Sequence, residues 1–280
     1  SHINPNIVNV TPIENNQPVR GSNKTNNIPN PIPIKHTPKV FFNAQNIIYY
    51  LPFILLYYVY QFYVTIQKGV FMSTDEVVKI IKLLKKTYPD AKCSLNFETP
   101  FELAIAVMLS AQCTDERVNK TTPALFLKYN KPEDFVNLDI SIIEKIIHPC
   151  GFYKNKAKNI KNMSIMLLEQ FNGSVPQNMD DLMKLPGIGR KSANVIMLEA
   201  FNKPQGIAVD THAKRISNRL GLSNNSDPLK IEQDLLKIIP YEYLKDVNHL
   251  FMWLGRDCCK APNPNCENCS IKKYCNFVKK

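Results

Sequence analysis

A chain of 280 residues with 44% apolar content can bury one or two cores, which excludes disorder throughout. Its formal charge of +11 favours a polyanionic partner, nucleic acid or a membrane surface, and says nothing of the fold. Eight cysteines would suit a small disulfide-bonded secreted protein, but five of them fall in the last 23 residues of a fairly large chain, which points to metal in a reducing compartment.

Residues 1–38 are rich in Asn and Pro without an apolar period and read as a disordered arm. The chain begins at Ser1 rather than a methionine, so the natural start is expected further upstream. Residues 39–71 form an apolar segment in which Val40 to Gln67 carries no charge, long enough for a membrane span but interrupted by Pro52 and several amides. A membrane anchor or targeting element, an extra helix on the core, and mistranslated or unspliced sequence are three open readings of it, so membrane contact there is undecided. These two stretches hold five Lys or Arg against one Glu. The remaining 30 Lys or Arg against 23 Asp or Glu put +7 of the charge in residues 72–280.

From Met72 the pattern turns helical. Ser73 and Glu76 have capping-box spacing ahead of Val77, Ile80, Ile81 and Leu84. Thr99-Pro100 starts a second helix, apolar enough through Leu109 to be central. Helical periods follow over Glu116–Tyr129, Ile140–Ile147, Lys156–Phe171, Met179–Lys184 and Ala213–Leu220, and no strand run appears, so the expected fold class is all-α.

Leu185-Pro186-Gly187-Ile188-Gly189-Arg190-Lys191 joins two of these helices through a tight turn. Pro186 presets the turn, while Gly187 and Gly189 are expected to permit positive φ and close approach of a ligand. The next helix opens with unpaired N–H groups which, with Arg190, offer a seat for a phosphate. Such a contact reads no base sequence. Lys191 in the first helical turn feels the positive end of the dipole, and a partly desolvated pocket would further disfavour its charge. Asp210, in Val209-Asp210-Thr211-His212, reads by itself as a helix cap, and His212 as structural or phosphate-contacting.

Cys259, Cys266, Cys269 and Cys275 place four thiolates close together. Zinc ribbons usually have two close pairs, and only Cys266 and Cys269 make one here. Cys258 reads as spare, and Cys93, Cys113 and Cys150 as scattered core cysteines.

The hairpin, the Val-Asp-Thr-His segment and the cysteine spacing together closely resemble the endonuclease III family of DNA glycosylases, and the resemblance runs from Met72 to the end. It implies a two-domain helix-hairpin-helix fold: a six-helix barrel domain over 94–204, and an iron–sulfur domain from 72–93 with 205–280. It implies a [4Fe–4S] cluster on Cys259, Cys266, Cys269 and Cys275, with no small-molecule cofactor. By the same likeness Lys191 is the catalytic nucleophile and Asp210 the catalytic carboxylate. Gln112 fills the gap left by an extruded base, Phe152 stands where the family has a leucine wedge, and Lys260 is the one basic residue in a phosphate-contacting loop, with Lys272 and Lys273 as substitutes. Asp115 is assigned no catalytic role.

The function so implied is a bifunctional DNA N-glycosylase and abasic-site lyase of base excision repair, a monomer on double-stranded DNA that removes oxidised pyrimidines through a lysine imine. Two alternatives stand beside it: a non-catalytic helix-hairpin-helix DNA-binding protein, and a mismatch or alkylated-base glycosylase. The second is disfavoured by the lysine, which those relatives lack. The expected location is nucleus and mitochondrion, or else a plastid-like organelle.

Overall fold

The computed structural model describes residues 72–278; the arm and the apolar segment lie outside the described residues. Among those described, all regular structure is helical, as the all-α expectation requires. Helix α1 (Thr74–Thr87) starts at the expected capping box, with the Glu76 N–H donating to Ser73 Oγ and the Ser73 N–H to Glu76 Oε2. Helix α2 (Pro100–Leu109) is capped by Thr99, whose Oγ1 lies 3.1 Å from the Glu102 nitrogen. Every residue from Phe101 to Leu109 is buried, so α2 is the centre of a core rather than an amphipathic surface helix.

Around α2 lie α3 (Asp115–Phe126), α4 (Pro132–Val136), α5 (Ile140–Ile147), α6 (Tyr153–Phe171), α7 (Met179–Leu182) and α8 (Arg190–Glu199). Val118, Phe135, Ile143, Ile160, Leu182 and Ile196 point inward from them and form one continuous cluster. Two boundaries differ from the sequence pattern. Helix α3 ends at Phe126 rather than Tyr129: Leu127 is 86% exposed, and Tyr129 packs on Phe135 from beyond the helix end. Helix α6 begins at Tyr153, three residues early, where the Tyr153 ring packs 4.5 Å from that of His148.

A second, separate cluster is built by α1 together with α9 (Thr211–Leu220), α10 (Pro228–Ile238) and α11 (Leu244–Asp257). Val77, Ile81, Ile216, Leu235, Val247 and Phe251 meet there, and α1 packs directly on α11. Burying a side chain such as Phe251 completely is worth about 3–5 kcal/mol against its loss to alanine, so this small core holds α1 to the later helices. The extended run Ile207–Val209, buried throughout, carries the chain from α8 into this second cluster. A cleft opens between the two clusters.

Candidate active site

The turn before α8 is made by the Ile188 N–H donating to the Leu185 carbonyl, and Leu185 and Ile188 are both buried, so apolar anchors fix it from either side. Gly187 has φ +81°, and a Cβ there would press on the side chains of Asn159 and Met108, so glycine is required twice over. Gly189 differs from expectation: at φ −94° it is extended, the N-cap of α8, and open space surrounds its Cα. It leaves the first N–H groups of α8 uncovered by any capping side chain. Arg190 does not extend towards that opening. Its Nε lies 2.6 Å from Glu232 Oε2, so only backbone N–H groups face that opening, with the guanidinium held to one side.

Lys191 follows in the first turn and lines the cleft, a space of about 240 Å³. It is exposed, so the partly desolvated surroundings expected for it are not supplied by the protein alone. Asp210 lines the same cleft from the other cluster. Its Oδ1 caps α9 at 2.7 Å from the Ala213 nitrogen, and its second oxygen has no protein partner among the described residues. Capping and facing the cleft are therefore compatible for one carboxylate. His212 is turned away, its ring against Gly255 of α11 and its Nδ1 3.1 Å from Arg215, which is the structural of its two readings.

The remaining wall includes His249, which the sequence did not single out, together with Asp115 and Cys93. His249 of α11 places Nε2 2.6 Å from Glu199 Oε1 of α8, joining the two clusters across the cleft. Asp115 does the same at the rim, accepting from Arg256 at 2.9 Å and from Ser94 at 2.5 Å. Cys93 is not a core cysteine; it lines the cleft, where burial and then the Glu199 and Asp115 carboxylates push its thiol up to about 11, against a backbone bond from Leu95. Cys150 is buried as expected and Cys113 only partly so.

Gln112 and Phe152 stand on two neighbouring loops, both in the left-handed region at φ +53° and +49°. For a bulky residue such as Phe152 that conformation costs energy, yet the side chain is 65% exposed and returns none of it as burial. One buried residue holds both loops. Lys156 Nζ donates to the carbonyls of Leu109 and Ala111, either end of the approach to Gln112, at 2.9 and 2.8 Å, and to Cys150 beside Phe152 at 2.9 Å. Burial pushes its amine below the ordinary lysine value, partly countered by Cys113 and Cys150.

Cys259, Cys266, Cys269 and Cys275 line one small cavity with Arg219 and Phe277. Arg219 Nη1 points at Cys259 Sγ from 3.2 Å. Cys258 shares the wall, but its Sγ donates to the Asn265 carbonyl at 3.0 Å, and burial followed by Cys269 raises it to about 12. Among the described residues no three His, Cys, Asp or Glu side chains are gathered to hold a metal ion. Four cysteines on the wall of a single cavity are a donor set that suits zinc or an iron–sulfur cluster. Lys260 is exposed, and its carbonyl accepts from Arg219 at 2.9 Å, which fixes the loop that presents it.

Residues 105–241 match the family described as HhH-GPD superfamily base excision DNA repair protein. The chain is 47% identical over 201 residues to endonuclease III of Synechocystis sp., covering 72% of this chain and 92% of that protein. Two solved structures are similar at 44% identity and a TM-score of 0.70. One is a non-covalent endonuclease III–DNA complex, in which the likeness covers 74% of this chain and 97% of that one. The other is a trapped endonuclease III–DNA covalent intermediate, with 74% and 98% covered.

Proposed function

We propose that this chain, which belongs to the endonuclease III family within the HhH-GPD superfamily of base excision DNA repair proteins, excises oxidised pyrimidines from double-stranded DNA and then nicks the abasic strand. It is a bifunctional DNA glycosylase and abasic-site lyase. The observation that carries the residue assignment is that Lys191, from one core, and Asp210, from the other, line the same cleft. Supporting it, endonuclease III at 44% identity has been trapped as a covalent intermediate with DNA.

The duplex lies across the cleft, with a backbone phosphate on the uncovered N–H groups after Gly187 and Gly189. The damaged nucleotide is extruded, Gln112 occupies the space it leaves, and Phe152 wedges the opposite strand. DNA itself excludes the water that still reaches Lys191 in the free protein. The neutral amine of Lys191 attacks C1′, a C–N bond forms, and the bond to the base breaks, the base departing with the proton that the amine sheds. Asp210, with one oxygen on its cap and the other free of protein partners among the described residues, stabilises the positive charge that develops on the sugar and relays the amine's proton to the base. The nitrogen lone pair then expels O4′, which takes up the nitrogen's remaining proton as a hydroxyl, and the sugar ring opens to an imine. The imine acidifies C2′, a C2′ proton leaves, and the 3′ phosphate is expelled by β-elimination.

Cys259, Cys266, Cys269 and Cys275 would hold a [4Fe–4S] cluster, and the cavity they share supports this reading. When bound, the cluster supplies thiolate cross-links between the end of α11 and the C-terminal segment. Lys260, Lys272 and Lys273 are the basic side chains near it that would meet phosphates. The two buried clusters support the division into a barrel domain, 94–204, and a second domain from 72–93 and 205–280. The protein acts as a monomer, and its proposed location is nucleus and mitochondrion; both rest on the sequence reading alone.

Borohydride reduction tests the reading. The full chain on a duplex bearing thymine glycol or an abasic site is expected to give a covalent protein–DNA band, absent for Lys191→Gln. A band that survives in the variant would mean that another amine is the nucleophile. No band from a folded, DNA-binding wild type would refute the lyase reaction.

A further inference from the structure

Glu232 lies on α10, outside the cleft, and is 2% exposed. A carboxylate stripped of water is costly unless its lone pairs are matched, and all four of its donors come from just two segments. Arg190 Nε is 2.6 Å from Oε2 and Arg190 Nη2 3.4 Å from Oε1; Asn194 Nδ2 is 2.8 Å from Oε1, and the Ile207 backbone nitrogen 3.3 Å. Arg190 and Asn194 are one turn apart on α8 and bracket Lys191 in sequence. Ile207 opens the extended run that ends at Asp210. Asn194 Nδ2 also reaches the Ile207 carbonyl at 3.4 Å, so the two segments are tied to each other as well as to the carboxylate. Gly206 completes the arrangement, since a Cβ there would overlap the Glu232 carboxylate and the Asn194 amide.

We propose that Glu232 is a positioning residue which sets Lys191 against Asp210, by clamping the helix that carries the first to the segment that carries the second. This rests on the reading of Lys191 and Asp210 given above. Mere cohesion does not call for such a group, because apolar residues of the same volume join two elements at least as firmly as a buried ion pair. An ion pair adds direction. The guanidinium fork and the Asn194 amide fix the rotation of α8 about its axis, and the Ile207 N–H fixes the height of the extended run. Lys191 sits between the two anchored residues of α8, so its departure direction is set by the same carboxylate.

Single-turnover kinetics on full-length protein tests this, with borohydride trapping to count the molecules able to form the imine and thermal melting to follow stability. For Glu232→Gln, the rate per trap-competent molecule on abasic duplex is expected to fall about 10- to 100-fold, the sensitivity of chemistry to displacements near 1 Å. Affinity for a duplex with an uncleavable abasic analogue should stay within about twofold of wild type. Glu232→Asp, which keeps the charge, should recover part of the rate. Should Glu232→Gln fold poorly, Arg190→Lys removes the fork while leaving a cation at a partly exposed position. The double variant should then lose no more rate than the worse single one, because both act on one clamp. Unchanged rates per trap-competent molecule, with only the melting temperature lowered, would overturn the positioning role and leave the lyase reading intact. A wild type inactive on both lesion and abasic DNA would overturn that reading and this inference together.

Discussion

The ammonium of Lys156 lies 2.9 Å from the carbonyl oxygen of Cys150, and through that bond the loop presenting Phe152 is fastened to the loop presenting Gln112. The other two protons of the ammonium go to Leu109 and Ala111 on the second loop. Replacing it by methionine preserves the stem and orphans three carbonyls. Lys156→Met should lower unfolding free energy by about 2–3 kcal/mol in urea titration. It should also weaken binding to a duplex with an abasic analogue about tenfold while undamaged duplex binds as before, because the loops matter only where the stack is broken. Equal loss on both duplexes would show that the loops are not what Lys156 serves.

Phe152 gives a prediction of opposite sign for stability and function. Its left-handed backbone suits asparagine far better than phenylalanine, and its exposed ring has little packing to lose. Phe152→Asn is expected to leave stability unchanged or raise it by about 0.5–1 kcal/mol. Excision from lesion duplex should fall at the same time, measured under single turnover with melting curves alongside.

Acid sensitivity should register at Asp234. Burial works to raise this carboxyl, but bonds from Ser223 at 2.7 Å, Asn225 at 2.6 Å and Lys237 at 3.1 Å outweigh it and hold the group below the ordinary carboxylate value. The folded protein therefore binds this proton less readily than the unfolded chain. The resulting stabilisation is complete above the unfolded value, near pH 4, and is lost as pH falls through the lowered one. Asp234→Asn should flatten the fall in urea midpoint between about pH 5 and pH 3. A slope identical to wild type would assign the acid loss to other carboxylates.

The cysteines make a compositional prediction. Protein isolated without oxygen should carry about four irons per chain. Cys269→Ala should lose them and melt earlier, whereas Cys258→Ser, whose sulfur is engaged with Asn265, should keep both the iron and the melting temperature. Iron lost equally in both would move Cys258 into the ligand set.

Much of the fold was legible because its helices announce themselves locally: the Ser73–Glu76 box and the Thr99-Pro100 start both appear as capped ends. Asp227-Pro228 carries the same signal for α10 and went unread, as did the Lys131-Pro132 start of α4. The cleft residues Lys191 and Asp210 sit in short motifs and could be found one at a time. Their supports could not, because Glu232 acts on residues 25 or more positions earlier, and no local pattern encodes that contact. A weaker sign existed for Lys156, which occupies the buried stripe of α6 with Ile160, Met163 and Leu167, where charge has no place without a partner. The extended φ of Gly189 and the sideways turn of Arg190 were likewise settled by packing rather than by residue type.

The way α1 returns to pack on α11 has a consequence for how the protein is made. The first core, from Phe101 to Met197, has all its partners once α8 has left the ribosome. Val77, Ile80, Ile81 and Leu84 must instead wait, unpartnered, for segments as late as Leu254 and Ile271. Asp210 is placed by that late core and Lys191 by the early one, so the pair that would cut DNA comes together only near the end of synthesis. A nascent chain therefore carries a folded first core while Asp210 is still without the packing that places it.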